Sequence, residues 1–460
     1  MKKDHRTHRA RRVLIAVVAI IVLAVTSVTV LVRHRIYLAE TGAASIGTPT
    51  PLEQVVNSQD NGQRFTVTAN YQSLVSGENT VSAPVTWDDQ WFFQDPTQYN
   101  HELAQAASVL SSVANAESGH FQEGNNVPDY MEDLLGKLGF EQACTASYRY
   151  RSEIIDEIAN VFTPDGTDTT AYTMASKHIT SDETGQTKLL LMVAIRGSYG
   201  TEWLSNLRMS LSSGILDGGG MGEGDHEGFS DTSMDVVSAI VKYLDVIQEQ
   251  EPDLGWDDVS LFVCGHSRGG ATANLVCAYF DQNSEDWKES GAGDEYKEAY
   301  VDSNSIYGYG FAVPQVTSAA GSKDALYSNI FNIMNPADVV PRTPLAAWGF
   351  SRYGQDLWLP EYGQDGFDEK FAKVEAYFKQ EVGNEDQSNP ADVKDVDQIE
   401  KDLADACPTL SEFQTLVGVF KAGVAFTQGH DIVRIIYSHA PDLYSCWMQT
   451  ISAGDLRSSR

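Results

Sequence analysis

Positive charge is scarce in this sequence: 32 Lys and Arg stand against 64 Asp and Glu, a formal net charge of −32. Eight of the basic residues, with Asp4 as the only acid among them, lie within residues 1–35, so the remainder carries 24 basic and 63 acidic side chains, or −39. A chain so negative lacks the basic footprint that nucleic acid requires, which excludes that partner. It gains no attraction to anionic lipid either, so contact with a lipid surface has to be apolar. Cysteine is rare too. Cys144, Cys264, Cys277, Cys407 and Cys446 make an odd number with no CxxC spacing, which argues against a metal cluster or a disulfide scaffold. A Cys407–Cys446 bridge in an exported protein cannot be read from spacing. No calcium-loop DxDxDG…E pattern and no internal repeat is present. Apolar residues are not lacking. At 42% hydrophobic and 10% aromatic, a 460-residue chain has the material for one large α/β domain with extensions, and wholesale disorder is excluded.

The basic residues mark a targeting segment. Residues 1–12 form a basic tail, and residues 13–32 (VLIAVVAIIVLAVTSVTVLV) are an uncharged run of twenty. At 1.5 Å per residue such a run spans the ~30 Å hydrocarbon core of a bilayer. Six basic residues precede it and only Arg33 and Arg35 follow closely, so the positive-inside bias keeps the N-terminus in the cytoplasm and exports the rest. Arg33-His34-Arg35 stands where a signal-peptide cleavage site would be. The expectation is a single-pass signal anchor in the cell membrane with the folded remainder extracellular; cleavage and secretion is the alternative.

Residues 36–90 are polar and broken by Pro49, Pro51 and Pro84, and read as a stalk and N-terminal extension leading into one or two strands, such as Arg64–Tyr71. From residue 91 to 460, helical and strand patterns alternate, the mark of an α/β domain. Helical periodicity covers 102–115, 129–138 and 231–249. Short β-branched runs at 171–178, 188–196, 259–264, 305–312 and 329–334 have the character of buried parallel strands. Residues 214–228 (GILDGGGMGEGDHEG) are too glycine-rich for a regular element and are expected to be a mobile loop. Residues 361–412 hold fifteen acidic and five basic side chains, the composition of a solvated helical surface. Directly after them Phe413, Leu416, Val417, Phe420 and Val424 follow helical spacing. Residues 361–428 thus read as an insertion whose apolar stripe is either core or the inner face of a cap.

The chemistry centres on residues 259–280. An apolar strand ends in Gly265-His266-Ser267-Arg268-Gly269-Gly270 and a helical stretch follows, with Ser267 at the turn. A nucleophile there needs a strained turn to lift its hydroxyl clear of the sheet, and the strand and helix then pass so closely that glycine is required on both sides. The bare GxSxG string is weak; the strand before it and the helix after it make it specific. The competing explanation is a structural turn with an inert serine.

A serine nucleophile needs a base and an orienting acid, which follow in this fold in the order Ser, Asp/Glu, His. Beyond Ser267 only His430 and His439 remain. His439, in a loop before a last helix, is the favoured base and His430 the alternative. Asp338 lies just past a buried strand, at the edge of the sheet where catalytic groups gather, and is the candidate acid. Oxyanion donors are the backbone N–H of Arg268 and Ser198, in the loop after the 189–196 strand. His266 is read as structural. No metal and no cofactor is called for.

These motifs resemble the class 3 lipases, α/β-hydrolases similar to fungal triacylglycerol lipases, over most of residues 91–450. Arg196-Gly197-Ser198 with Trp203 resembles the family's oxyanion loop, His226-Glu227-Gly228-Phe229 its H-x-G-F entry to the helix before the elbow strand, and Gly265–Gly270 its G-H-S-x-G-G. Tyr309–Pro314 resembles its T-F-G-x-P strand, and Asn335–Pro341 its N-x-x-D-x-V-P, whose Asp is the triad acid. The resemblance implies an α/β-hydrolase fold, a mostly parallel sheet flanked by helices, and hydrolysis of carboxylic esters, lipid or acylglycerol, through an acyl-enzyme. A phospholipase or acyltransferase on the same triad, or an inactive surface binding module, are the alternatives. Three departures stand out: Arg268 replaces the family's Leu, the Asp338–His439 interval is long, and the glycine-rich loop stands where the lipases carry a lid helix.

Overall fold

The computed structural model describes residues 49–52, 64–75, 79–122, 130–146, 171–197, 227–290, 301–413, 415–427 and 429–458. The strands are β1 (Thr50–Pro51), β2 (Phe65–Gln72), β3 (Thr80–Trp87), β4 (Gln142–Ala146), β5 (Tyr172–Thr180), β6 (Thr187–Ile195), β7 (Val259–His266), β8 (Ile306–Phe311), β9 (Ile330–Met334) and β10 (Gln355–Trp358). The helices are α1 (His101–Gln122), α2 (Tyr130–Lys137), α3 (Glu227–Gln250), α4 (Arg268–Ser290), α5 (Phe367–Glu381), α6 (Val393–Ala406), α7 (Leu410–Phe413), α8 (Leu416–Thr427), α9 (Ile432–Tyr437) and α10 (Pro441–Thr450).

An eight-stranded sheet runs in the order β1-β4-β5-β6-β7-β8-β9-β10. From β6 to β10 neighbouring strands are parallel, whereas β1, β4, β5 and β6 pair antiparallel. The 171–178 run, expected to be parallel, is therefore an antiparallel strand, because six residues separate β5 from β6 and so short a link joins only antiparallel neighbours. Side chains alternate across the sheet. Along β6, Leu190, Met192 and Ala194 enter one core with α1, α5 and α10, while Leu189, Leu191, Val193 and Ile195 enter a second core with α3 and α4. Covered on both faces, β7 buries all eight of its residues, which explains its unbroken apolar reading.

Two boundaries differ from the sequence reading. Strands β2 and β3 form a hairpin whose Ala69, Tyr71, Val81, Ala83, Val85 and Trp87 join the first core, so residues 65–87 belong to the folded body and not to a stalk. The apolar stripe after residue 412 is split. Thr415 Oγ1 accepts the Gly418 amide and donates to Glu412 O, separating α7 from α8. The register changes across that break: Phe413 is buried beside Val396, Ile399 and Leu403 of α6, while Val417 is 64% exposed. The acidic stretch becomes α5 and α6, which bury Phe367, Val374, Phe378, Val396, Ile399 and Leu403.

All five cysteines are free and buried, including Cys407 and Cys446. Among the described residues no helix is long and apolar enough to cross a membrane. The 13–32 run, Ser198, Trp203, His226 and residues 214–226 lie outside the described residues.

Candidate active site

The sequence around Ser267 forces an unusual backbone. Ser267 has φ of 59°, a left-handed conformation that a side-chain-bearing residue adopts only when its surroundings hold it there. Its N–H donates to Phe311 O at 2.8 Å and its carbonyl accepts from Ala271 N at 2.9 Å, fixing the turn to β8 and α4. The flanking glycines are required by contact. A Cβ on Gly265 would lie 2.3 Å from Gly269 O, and one on Gly269 would lie 2.3 Å from Ile195 O. Strand β7, helix α4 and the end of β6 therefore meet backbone to backbone at the serine.

His439 Nε2 lies 2.8 Å from Ser267 Oγ, and its Nδ1 lies 2.7 Å from Asp338 Oδ2. A carboxylate only accepts, so Nδ1 carries the proton and Nε2 is left to accept from the serine hydroxyl. Asp338 is fully buried just past β9. Its Oδ1 accepts from Val340 N at 3.0 Å and its Oδ2 from the Tyr444 hydroxyl at 2.8 Å. Tyr444 Oη in turn accepts the Asn335 amide at 2.9 Å. Asn335 Nδ2 donates to Ser438 O at 3.1 Å, so one side chain ties the loop of Asp338 to the loop of His439. Burial and the neighbouring Asp338 push the Tyr444 phenol well above its ordinary pKa, keeping it a donor.

Arg352 braces the same loop from behind. Its Nε donates to Val313 O at 2.6 Å, its guanidinium reaches Pro341 O, and Asp356 lies 3.3 Å away. His266 does not sit apart from the site. Its ring lies 4.8 Å from that of His439 and 5.4 Å from Tyr444. Burial, and the repulsion of a charged His439, hold His266 well below the ordinary imidazole pKa, so it is a neutral packing surface for the base.

Of the candidates read from sequence, Ser267, Asp338 and His439 come together. His430 does not join them; its Nδ1 lies 3.3 Å from Asp395 Oδ1, beside the acidic face of α6. Arg268 opens α4, where first-turn N–H groups have no acceptor within the helix. Tyr444 was invisible to motif reading because a lone tyrosine in a helix reads as core. Its offset of five residues from His439 was the only available signal.

Residues 192–348 match the family model described as lipase (class 3). That span holds the end of β6, strands β7 to β9 and the Ser267 and Asp338 positions, and stops short of His439. Among solved structures, the chain is similar to a triacylglycerol lipase described by its serine-protease-like triad (23% identity, 41% of this chain and 62% of that one, TM-score 0.27). It is also similar to Rhizomucor miehei lipase with its propeptide (23%, 41% and 52%, 0.27) and to lipase II from Rhizopus niveus (16%, 56% and 82%, 0.31). The chain thus spans less than two thirds of the first two of these proteins. No curated protein matches the sequence significantly.

Proposed function

We propose that the chain is a lipolytic serine hydrolase that cleaves carboxylic esters of lipid or acylglycerol type. One observation carries the reading: Ser267 Oγ, His439 and Asp338 lie in one hydrogen-bonded line, with separations of 2.8 and 2.7 Å. The match of residues 192–348 to the class 3 lipase model supports it.

In this reading Ser267 Oγ attacks the ester carbonyl while His439 Nε2 takes its proton. Asp338 holds the imidazole in the correct tautomer and stabilises the imidazolium without being protonated itself. The developing oxyanion is met by the Arg268 N–H at the start of α4 and by Ser198, and His439 then returns the proton to the leaving alcohol. Water, activated by the same base, releases the acid from Ser267. We place the enzyme at the outer face of the cell membrane, held by residues 13–32.

The test is Ser267→Ala with a fluorophosphonate label. Wild type should take the label on Ser267 and hydrolyse a p-nitrophenyl ester; the variant should do neither, retaining at most the ~10³–10⁴-fold acceleration over water that binding and the oxyanion hole supply. A variant that keeps most of its activity sinks the reading.

A further inference from the structure

We propose that Asn115 of α1 is a positioning residue for the acyl-transfer chemistry at Ser267, acting through the backbone of Gly197; this rests on the serine-hydrolase reading above.

The sheet leaves Gly197 in need of a partner. The last paired position of β6 with β7 is Ile195 against Gly265, and the Arg196 amide still finds Ala171 O at 2.9 Å. The next amide, that of Gly197, lies past the ladder and inside the protein, where an unmatched donor is costly. Asn115 supplies the acceptor: its Oδ1 takes the Gly197 N–H at 2.8 Å. The other end of the same amide, Nδ2, donates to Ser111 O one turn back at 2.9 Å. With its donor end pinned in its own helix, the acceptor end has a single direction. Asn115 is 3% exposed, so water does not substitute for it.

Helix α1 is a firm base for this contact. It packs against β7 and β6, and its Ser108, Ser111 and Ser112 are buried on the way to Asn115. The Ser111 hydroxyl donates to Ala107 O at 2.8 Å, so this buried polar group is tied down within the helix.

What Asn115 holds touches the elbow directly. A Cβ placed on Gly197 would fall 2.5 Å from His266 O and 3.3 Å from Ser267 Cβ. The backbone leaving β6 therefore passes the nucleophile's own residue with no room for a side chain between them, and a shift of Gly197 toward the elbow presses on Ser267. The Gly197 N–H points into the core at Asn115, so it is spent and is not an oxyanion donor. The part of Asn115 that matters is its acceptor oxygen.

The experiment compares wild type, N115L, N115S and N115D by kcat and KM on a soluble p-nitrophenyl ester, by the rate of fluorophosphonate labelling of Ser267, and by thermal melting. N115L keeps the size and loses the acceptor; N115S is too short to reach Gly197 and serves if N115L does not fold. Both should lose about 10- to 100-fold in kcat and in labelling rate, because small misplacements of reacting groups cost that much, with KM changed less than about three-fold. N115D keeps an acceptor for Gly197 but sets its second oxygen against Ser111 O, so its kcat should fall between those of wild type and N115L. Folded N115L or N115S with wild-type kcat overturns the proposal while the hydrolase reading stands. Wild type that neither takes the label nor cleaves the ester overturns the hydrolase reading, and this role with it.

Discussion

Tyr444 donates its hydroxyl to Asp338 Oδ2 at 2.8 Å and accepts the Asn335 amide on the same oxygen at 2.9 Å. One phenol thus satisfies a buried carboxylate and a buried backbone donor at once. Tyr444→Phe should lower stability by about 1–3 kcal/mol, since the Asn335 N–H is left unmatched. It should also lower kcat several-fold with KM nearly unchanged, because Asp338 is held less firmly against His439. Chemical denaturation and steady-state kinetics on one preparation check this. Full stability and full kcat together would show that water takes the hydroxyl's place.

The elbow glycines give a second prediction. A Cβ at Gly265 would meet the backbone of Gly269 at 2.3 Å, and backbone has nowhere to move between a strand and a helix. Gly265→Ala should cost about 3 kcal/mol or more and leave little folded protein. Gly423 in α8 is the contrast, with nothing within 4 Å of its added Cβ. Gly423→Ala should stabilise by about 0.5–1 kcal/mol through helix propensity. Equal melting temperatures for the two variants would refute the close-approach argument.

The sequence was most legible where one physical requirement dictates residue types. The elbow needs Gly265, Ser267 and Gly269 in order, and β6 to β9 need unbroken apolar runs because both faces of the sheet are covered. Chain order narrowed the base to two histidines and the loop before the last helix favoured His439; three-dimensional placement decided between it and His430. Legibility failed where a contact bridges distant residues. Tyr444 meets Asp338 across 106 positions and Asn115 meets Gly197 across 82, and neither leaves a local pattern. A strand at 64–71 was legible, but its pairing with β3 and its place in the core were not, because the outward residues are polar and the segment carries prolines; Tyr71, Val85 and Trp87 face one core.

Asp442 links stability to pH. It lies fully buried in the first turn of α10, three residues after His439, and accepts the Ser73 hydroxyl at 2.7 Å. Burial pushes its carboxyl up to about 6, against the stabilising bond from Ser73. The folded state therefore holds this proton to a higher pH than the unfolded chain, whose Asp ionises near ~3.9. Where the folded state binds more protons, stability falls as pH rises. The contribution should be present below about pH 4 and lost between about pH 4 and 6, to the extent of roughly 3 kcal/mol. Asp442→Asn removes the titration, so the difference in unfolding free energy between variant and wild type should shift in the variant's favour across that window. A constant difference from pH 4 to 7 would show that Asp442 does not titrate in it.

The insertion between acid and base gives the last prediction. Helices α6 to α9 build a small core of their own with Val339, Val340 and Leu345, the residues just after Asp338. Phe413 is its centre: its ring lies 5.1 Å from that of Trp348, whose Nε1 donates to Cys407 O at 2.9 Å. Truncating a buried aromatic costs about 3–5 kcal/mol, and Phe413→Ala should cost near the lower end, since this core is smaller than the other two. Val417, four residues on and 64% exposed, faces away from it. Val417→Asp should change stability by no more than about 0.5 kcal/mol and leave kcat on a short soluble ester unchanged. Because the Phe413 core packs on the residues flanking Asp338, Phe413→Ala should also lower kcat before the protein melts. Thermal melts and initial rates on both variants at one temperature separate the two positions. If Val417→Asp destabilises as much as Phe413→Ala, α8 buries its outer face and the split of the stripe into core and surface halves is wrong.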